Sequence, residues 1–565
     1  MKALTSGGDV ETTYVPIGDP SSDLSRERRQ REWSALLDKH THEHTRDHTR
    51  DHTAGATTGH TGGPTVDVVV IGGGITGTGI ALDAASRGLR TVLVEREDLA
   101  FGTSRWSSKL VHGGLRYLAT GHADVAWESA VERGHLMTTI APHLIRALPQ
   151  IVPVMTDTSM LSAAVTRAGF LAGDLLRAGA RTPAHVLPPA HWISRNKVRS
   201  LLPCIDAPSL RGGVMAWDGQ LNDDARLVVA VARTAASFGA SILTKVEATD
   251  IHPRGVRLHD RVSGTSVDVS ASHVITATGV WAEDLDPRVH VRPSRGTHVV
   301  LDARRLGSPR AALTIPVPGM DARYCFLLPR PDGTALAGIT DIGVDHIDDV
   351  PQAPEEEVTW ILRQVSRVLA TELTAADVLG TFAGLRPLVS MKDPDDLSGD
   401  TTSDVSRKHL VSRSSTGSIT VTGGKLTTYR RMAEDAVDMI TDRPCRTRSI
   451  ALVGAQPGTP DRSPGFFDAD PFTMRYGAEA ARVRGLSALF PDPPAALAPI
   501  TPHTSASRVD VAHAILHEGA LDTDDVLARR LRLDSVDADI PAARSAIEDV
   551  FAILTREGLT PAGAF

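Results

Sequence analysis

Cysteine, lysine and long apolar runs are all scarce in this chain of 565 residues. The three cysteines, Cys204, Cys325 and Cys445, stand far apart and match no metal-ligand spacing. That excludes a disulfide framework, gives no reason to expect a metal, and points to a reducing, cytoplasmic compartment. No apolar run reaches the length of a membrane-spanning helix. The first residues lack the apolar core of a secretory signal. Lysine supplies eight of the 60 basic residues, so a lysine inside a motif is informative. The formal net charge of −8 argues against a general nucleic-acid binder.

What is present is concentrated between Val66 and Tyr117. Val66, Val68, Val69, Val70 and Ile71 form a short β-branched run that suits a strand buried on both faces. Gly72, Gly74 and Gly77 follow at once as G-x-G-x-x-G. A helix is predicted over 76–86, ended by Arg87-Gly88, and a second apolar run closes on Glu95. The first glycine permits a tight turn, the second lets backbone approach a pyrophosphate, and the third lets helix and strand pack closely. The helix N-terminus offers free N–H groups to phosphate. Glu95 lies where an acid hydrogen-bonds a ribose hydroxyl. Strand, glycines, helix, strand and acid in that order predict dinucleotide binding.

The loop after Glu95 distinguishes the dinucleotide. Thr103, Ser104, Ser107, Ser108 and Lys109 crowd together, followed by His112-Gly113-Gly114. A plain nicotinamide domain continues into another βα unit. A loop rich in hydroxyls and glycine can wrap a pyrophosphate and a flavin with short donors.

The run LVEREDLAFGTSRWSSKLVHGGLRYL resembles the FAD-dependent glycerol-3-phosphate dehydrogenases, a branch of the D-amino-acid-oxidase-like flavoproteins. ATGVW (277–281), AGLRPL (383–388) and GGKLTTYR (423–430) fit the same family. The resemblance implies an α/β fold: a Rossmann-like FAD-binding domain interleaved with a β-sheet substrate domain, plus a small helical C-terminal domain. It implies FAD contacts from Gly72, Gly74, Gly77, Glu95, Thr103, Ser104, Ser108, Lys109, His112, Gly113, Gly279, Gly424, Lys425, Leu426 and Thr427. It places Arg116, Tyr117, Arg386 and Lys425 around the substrate. His298 is the first candidate for the base, with Lys425 sharing the role and Arg386 holding phosphate.

The activity so implied is oxidation of sn-glycerol 3-phosphate to dihydroxyacetone phosphate, with electrons passed to a quinone. Oxygen as acceptor, or another amine or alcohol as substrate, are the alternatives. The implied setting is peripheral contact with the inner face of the plasma membrane from the cytoplasm, with a homodimer left open.

Three regions are expected. Residues 1–64 read as a disordered His/Thr-rich extension, poor in large apolar residues, with one short helix over 26–37. Residues 65–445 carry the two interleaved domains. Residues 446–565 read as helical. Asn222 reads as a helix N-cap with Asp223, Asp224 and Arg226 in the first turn, and His513 and His517 as a surface pair.

Overall fold

The computed structural model describes residues 11–48, 66–114, 122–156, 160–252, 255–319, 323–390, 409–414, 416–457 and 466–560. Two sheets share the chain alternately. The first runs, by spatial neighbours, His409–Arg413, Ile419–Gly423, Ser266–Thr276, Val66–Ile71, Thr91–Glu95, Ser241–Thr244. Val66–Ile71 sits at its centre, paired in parallel with both Ser266–Thr276 and Thr91–Glu95. Its β-branched run is buried on both faces, the reason it carries no polar alternation. The helix Ile75–Ser86 follows directly, as the glycine spacing predicts. It packs against the helices Asp224–Ser237 and Tyr429–Val437. Asp223, rather than Asn222, caps Asp224–Ser237, accepting from Ala225 N–H at 3.0 Å.

The second sheet holds the long strands Ile145–Met155, Leu210–Leu221, His290–Asp302 and Val378–Ser390. His290–Asp302 and Val378–Ser390 pair antiparallel, setting Ser294 opposite Arg386 and His298 opposite Phe382. The chain leaves the first sheet after Glu95, builds part of the second, returns through 241–276, leaves again, and returns at His409. Helical turns dominate from Thr447 onward, closing on Ile540–Arg556. Among the described residues, no helix is long and apolar enough to cross a membrane.

The expected disorder of residues 1–64 is corrected for residues 11–38. Arg26–His48 is one helix, and its Arg29, Trp33 and Leu36 are buried at i, i+4, i+7 spacing. Trp33 and Leu36 cover the face of the first sheet opposite the glycine-rich helix, beside Val69, Val94 and Leu243. The Trp33 indole donates to Thr265 Oγ1 at 3.0 Å, and Arg29 pairs with Asp260. Upstream, Thr13 N–H donates to Ser449 O at 2.7 Å and Leu24 N–H to His517 O at 3.0 Å. The segment thus ties the nucleotide sheet to the C-terminal helices. A low apolar content did not prevent order, because a single stripe of three side chains suffices against a preformed face. The extension's remainder, 1–10 and 49–64, lies outside the described residues. Trp33→Ala is expected to cost about 3–5 kcal/mol. Thermal unfolding of the flavin-loaded enzyme checks this; an unshifted midpoint would mean the helix contributes no packing.

Candidate active site

A cavity of about 1050 Å³ lies where the two sheets meet. Its nucleotide end is built from the glycine-rich turn. Gly72 has φ +112°, and a Cβ there would stand 2.5 Å from the Ala277 carbonyl oxygen. A Cβ at Gly77 would overlap the Gly72 carbonyl. Both positions therefore require glycine, Gly72 for the turn and Gly77 for helix–strand contact. Gly77 is not at the cavity wall; Gly74, at the helix N-cap, is. The first helical turn has N–H groups without intrahelical acceptors and no acidic side chain. One is met by Ser104 Oγ, which accepts from Ile75 N–H at 3.0 Å. Glu95 accepts from Gly73 N–H at 2.6 Å and from Glu97 N–H at 2.8 Å, so its carboxylate is fixed at the end of the second strand.

The opposite wall completes the cradle. Gly279, with φ +61°, is anchored by Thr422 Oγ1 donating to its carbonyl at 3.0 Å. Gly424, Lys425, Leu426 and Thr427 face the cavity from the turn before Tyr429–Val437. Thr103 Oγ1 donates to Leu385 O at 2.7 Å, joining the hydroxyl-rich loop to the second sheet. Thr278 Oγ1 is buried at the wall with no hydrogen-bond partner among the described residues. An unmet hydroxyl, a helix N-terminus without an acid and a glycine turn that a Cβ would block together fit a bound dinucleotide.

The other end of the cavity belongs to the second sheet. Arg386 lies over Gly296, where a Cβ would collide with its guanidinium. Its Nη2 donates to Thr340 O at 3.1 Å, and its Nη1 stands 3.3 Å from Asp341. Lys425 Nζ donates to Ser129 Oγ at 2.9 Å. Arg295 points elsewhere, pairing with Glu357 at 2.6 Å. Arg386 and Lys425 thus both line the one cavity. Arg116 and Tyr117 lie outside the described residues.

Three expected site residues sit behind the wall. Lys109 is 1% exposed and pairs with Asp224 at 2.8 Å. Burial pushes its pKa down, with Asp224 opposing. On Asp224 burial acts upward, but Lys109 and Arg532 outweigh it and hold the carboxyl at about 2. A charge in a ligand-like loop thus belongs to a structural ion pair. Gly113 N–H donates to Asp218 at 3.1 Å, and the Arg133 guanidinium fills the space a side chain would need. His298 stacks on Phe382 with ring centroids 4.6 Å apart, and its Nε2 meets Ser108 Oγ at 2.8 Å. Ser108 lines the cavity; His298 does not. Burial, then Lys109 and Arg386, push its pKa down to about 3. An imidazole screened by a serine and that reluctant to ionise is a poor acceptor of a substrate proton, which corrects the expectation that it is the base. His112 is the one histidine among the described wall residues.

The depressed pKa has a consequence for stability. The unfolded chain takes up a proton at residue 298 below about pH 6.5, and the folded chain does not until about pH 3. Its contribution is therefore complete above pH 6.5 and lost as pH falls toward 3. Wild type should lose stability relative to His298→Gln by about 1.4 kcal/mol per pH unit below 6.5. Denaturant titrations of both proteins between pH 5 and 7 check this; parallel pH dependences would contradict it.

Sequence reasoning missed two groups. Gln150, Phe170, Tyr324, Phe326 and Trp360 line the broad end of the cavity. Tyr324 and Phe326 are two apart on one strand, a period-two pattern legible once the facing side is known. The C-terminal helices also hold the hydroxyl-rich loop from behind. Arg529 and Arg530 pair with Asp98 at 2.8 and 2.7 Å, and Arg532 stacks over Trp106 while donating to Arg105 O. His513, expected at the surface, is fully buried against Glu518 at 3.3 Å.

The family model described as FAD dependent oxidoreductase matches residues 67–430, and that of the C-terminal domain of alpha-glycerophosphate oxidase matches 445–558. Glycerol-3-phosphate dehydrogenase 1 of Mycobacterium tuberculosis is 50% identical over 487 residues, spanning 84% of this chain and 92% of its own. The mitochondrial glycerol-3-phosphate dehydrogenase of Macaca fascicularis is 33% identical over 538 residues, covering 87% of this chain and 70% of its own. The solved glycerol-3-phosphate dehydrogenase of Bacillus halodurans, complexed with FAD, superposes with a TM-score of 0.65 at 24% identity, covering 88% of this chain and 92% of its own. FAD is the cofactor that the cradle fits and that the family carries. The glycine turn, the cradle opposite it and these likenesses lead to one conclusion: the chain belongs to the FAD-dependent oxidoreductases, within the glycerol-3-phosphate dehydrogenase family.

Proposed function

We propose that the chain oxidises sn-glycerol 3-phosphate to dihydroxyacetone phosphate and passes the electrons to a quinone at the inner face of the plasma membrane. One observation carries this reading: a single cavity joins the dinucleotide cradle to Arg386 and Lys425. A phosphate dianion entering a largely apolar cavity needs cations there, or desolvation opposes binding. Arg386 suits it because a guanidinium fork matches two phosphate oxygens. Lys425, on the turn that also lines the cradle, adds a second positive charge to the same cavity.

Bound FAD supplies the two-electron acceptor for the hydride of the secondary alcohol. The chain's own residues orient that carbon and take the hydroxyl proton. We place the proton-accepting imidazole at His112. Gly114 N–H lies 3.2 Å from its Nδ1, a contact that the tautomer with Nε2 open must give up. Ser108, held by His298, adds a hydroxyl to the same wall.

Turnover with glycerol 3-phosphate, followed in parallel by peroxide release and by reduction of a water-soluble quinone analogue, tests the reading. Quinone reduction without stoichiometric peroxide is expected. Peroxide matching substrate consumption would make the enzyme an oxidase. In the same assay His112→Gln should lower kcat by roughly 10²- to 10⁴-fold, with His298→Gln affecting it far less.

A further inference from the structure

The proton taken from the substrate hydroxyl has to reach solvent before the next turnover. Asp218, on the strand Leu210–Leu221, lines the main cavity, as His112 does. Its carboxylate accepts from Gly113 N–H at 3.1 Å and from Arg133 Nη1, and both bonds fall on Oδ1. Oδ2 is left to take a proton. The first bond anchors the residue next to His112 in the chain, so the strand and the imidazole's loop are tied together at this wall. Burial pushes the Asp218 pKa up, with Arg133 and the amides of Gly113 and Gly219 opposing. The group therefore takes a proton more readily than an exposed carboxylate does.

A second cavity, of about 40 Å³, lies between that strand and the helix Met160–Gly179. Asp218, Gln150 and Phe170 line both cavities and so form the partition between them. The Arg133 and Arg177 side chains line the second cavity, and the Nε–H of each is buried without a partner among the described residues. Buried donors are rarely left unmet, and polar space of this size holds about two waters. Asp174 forms the outer side, with its side chain 24% exposed. Its Oδ2 accepts from Ala190 N–H at 3.0 Å, while its Oδ1 stands 3.8 Å from Arg177 Nε. That gap is too long for a direct bond and suits a bridging water. We propose that Asp218 carries the substrate proton out of the active site, through water in this second cavity, to Asp174 and solvent. Oxidation breaks the C–H and O–H bonds of the secondary alcohol and forms the carbonyl. The hydride takes both C–H electrons to bound FAD. The hydroxyl proton passes to His112, then to Asp218, and on to bulk water, which returns both side chains to their starting state. The Arg133–Asp218 pair also joins the helix Ala123–His135 to the sheet, so the test needs a readout that packing does not move.

The inference rests on the proposed oxidation of glycerol 3-phosphate. The test mixes the full-length, flavin-loaded enzyme with that substrate and follows flavin bleaching and proton release to an indicator dye together. In wild type the two signals should run in step. Asp218→Asn keeps the shape of the side chain but cannot take a proton. Its proton release should lag behind bleaching, and its steady turnover with the soluble quinone analogue should fall roughly tenfold or more. Added imidazole or formate should restore that turnover, because a small diffusible base replaces the missing carrier and does not repair packing. Asp174→Asn leaves the Arg133–Asp218 pair intact and should show the same lag. Prompt proton release in both variants, or a slowed Asp218→Asn that small bases do not restore, would overturn the route and leave the oxidation in place. A wild type whose flavin is not bleached by glycerol 3-phosphate would remove the oxidation reading, and the route with it.

Discussion

Gly74→Leu is expected to give a protein that folds normally and purifies without flavin. Gly74 has φ −78° and ψ −176°, extended backbone that any residue adopts. The nearest atom to an added Cβ is Ser104 Oγ at 3.1 Å, the tip of a small side chain. The rest of a leucine would project into the cavity at the helix N-terminus, where backbone must come within hydrogen-bond distance of the pyrophosphate. Losing two charge-assisted contacts costs about 3–6 kcal/mol, roughly 10²- to 10⁴-fold in affinity. Gly72→Leu provides the contrast: with φ +112° and Ala277 O at 2.5 Å, it should fail to fold rather than fail to bind. Flavin absorbance per mole and the thermal midpoint separate the two. Stoichiometric flavin in Gly74→Leu would mean the cradle is misassigned.

Arg386→Ala is expected to weaken glycerol 3-phosphate far more than glycerol. Arg386 reaches the cavity from the strand Val378–Ser390, its fork positioned by Thr340 O and Asp341. Asp341 offsets part of its charge, so the guanidinium matters chiefly through directed hydrogen bonds. Removing such a contact typically costs about 1.5–3 kcal/mol, roughly 10- to 150-fold in affinity. Glycerol has no phosphate and should show little change. Arg386→Lys should recover only part, because an ammonium cannot form two parallel bonds. The readout is substrate-dependent flavin bleaching in rapid mixing, on enzyme carrying full FAD. Wild-type affinity for glycerol 3-phosphate in Arg386→Ala would remove Arg386 from the phosphate site. Arg116 would then become the leading anchor, because Arg295 is held by Glu357.

The parts of this fold that were legible in the sequence are those whose cause is local. The strand Val66–Ile71 is recognisable because burial on both faces leaves a continuous β-branched run, and the glycines because backbone geometry leaves no other residue. The illegible parts depend on distant pairing. Lys109 looks like a ligand in a phosphate-friendly loop until Asp224, 115 residues away, is placed beside it. His298 was expected at the cavity from its strand, and only the fold shows that Ser108 covers it. Arg29, Trp33 and Leu36 carry a helical stripe in an otherwise polar extension, and composition averaged over 64 residues hides it.

If one cavity holds both flavin and glycerol 3-phosphate within reacting distance, the substrate alone reduces the flavin. Anaerobic mixing of the flavin-loaded protein with sn-glycerol 3-phosphate, without any other acceptor, tests it most directly. Loss of the oxidised-flavin absorbance is expected, with one dihydroxyacetone phosphate formed per flavin reduced. Flavin that stays oxidised with this substrate, yet is bleached by dithionite, would contradict it.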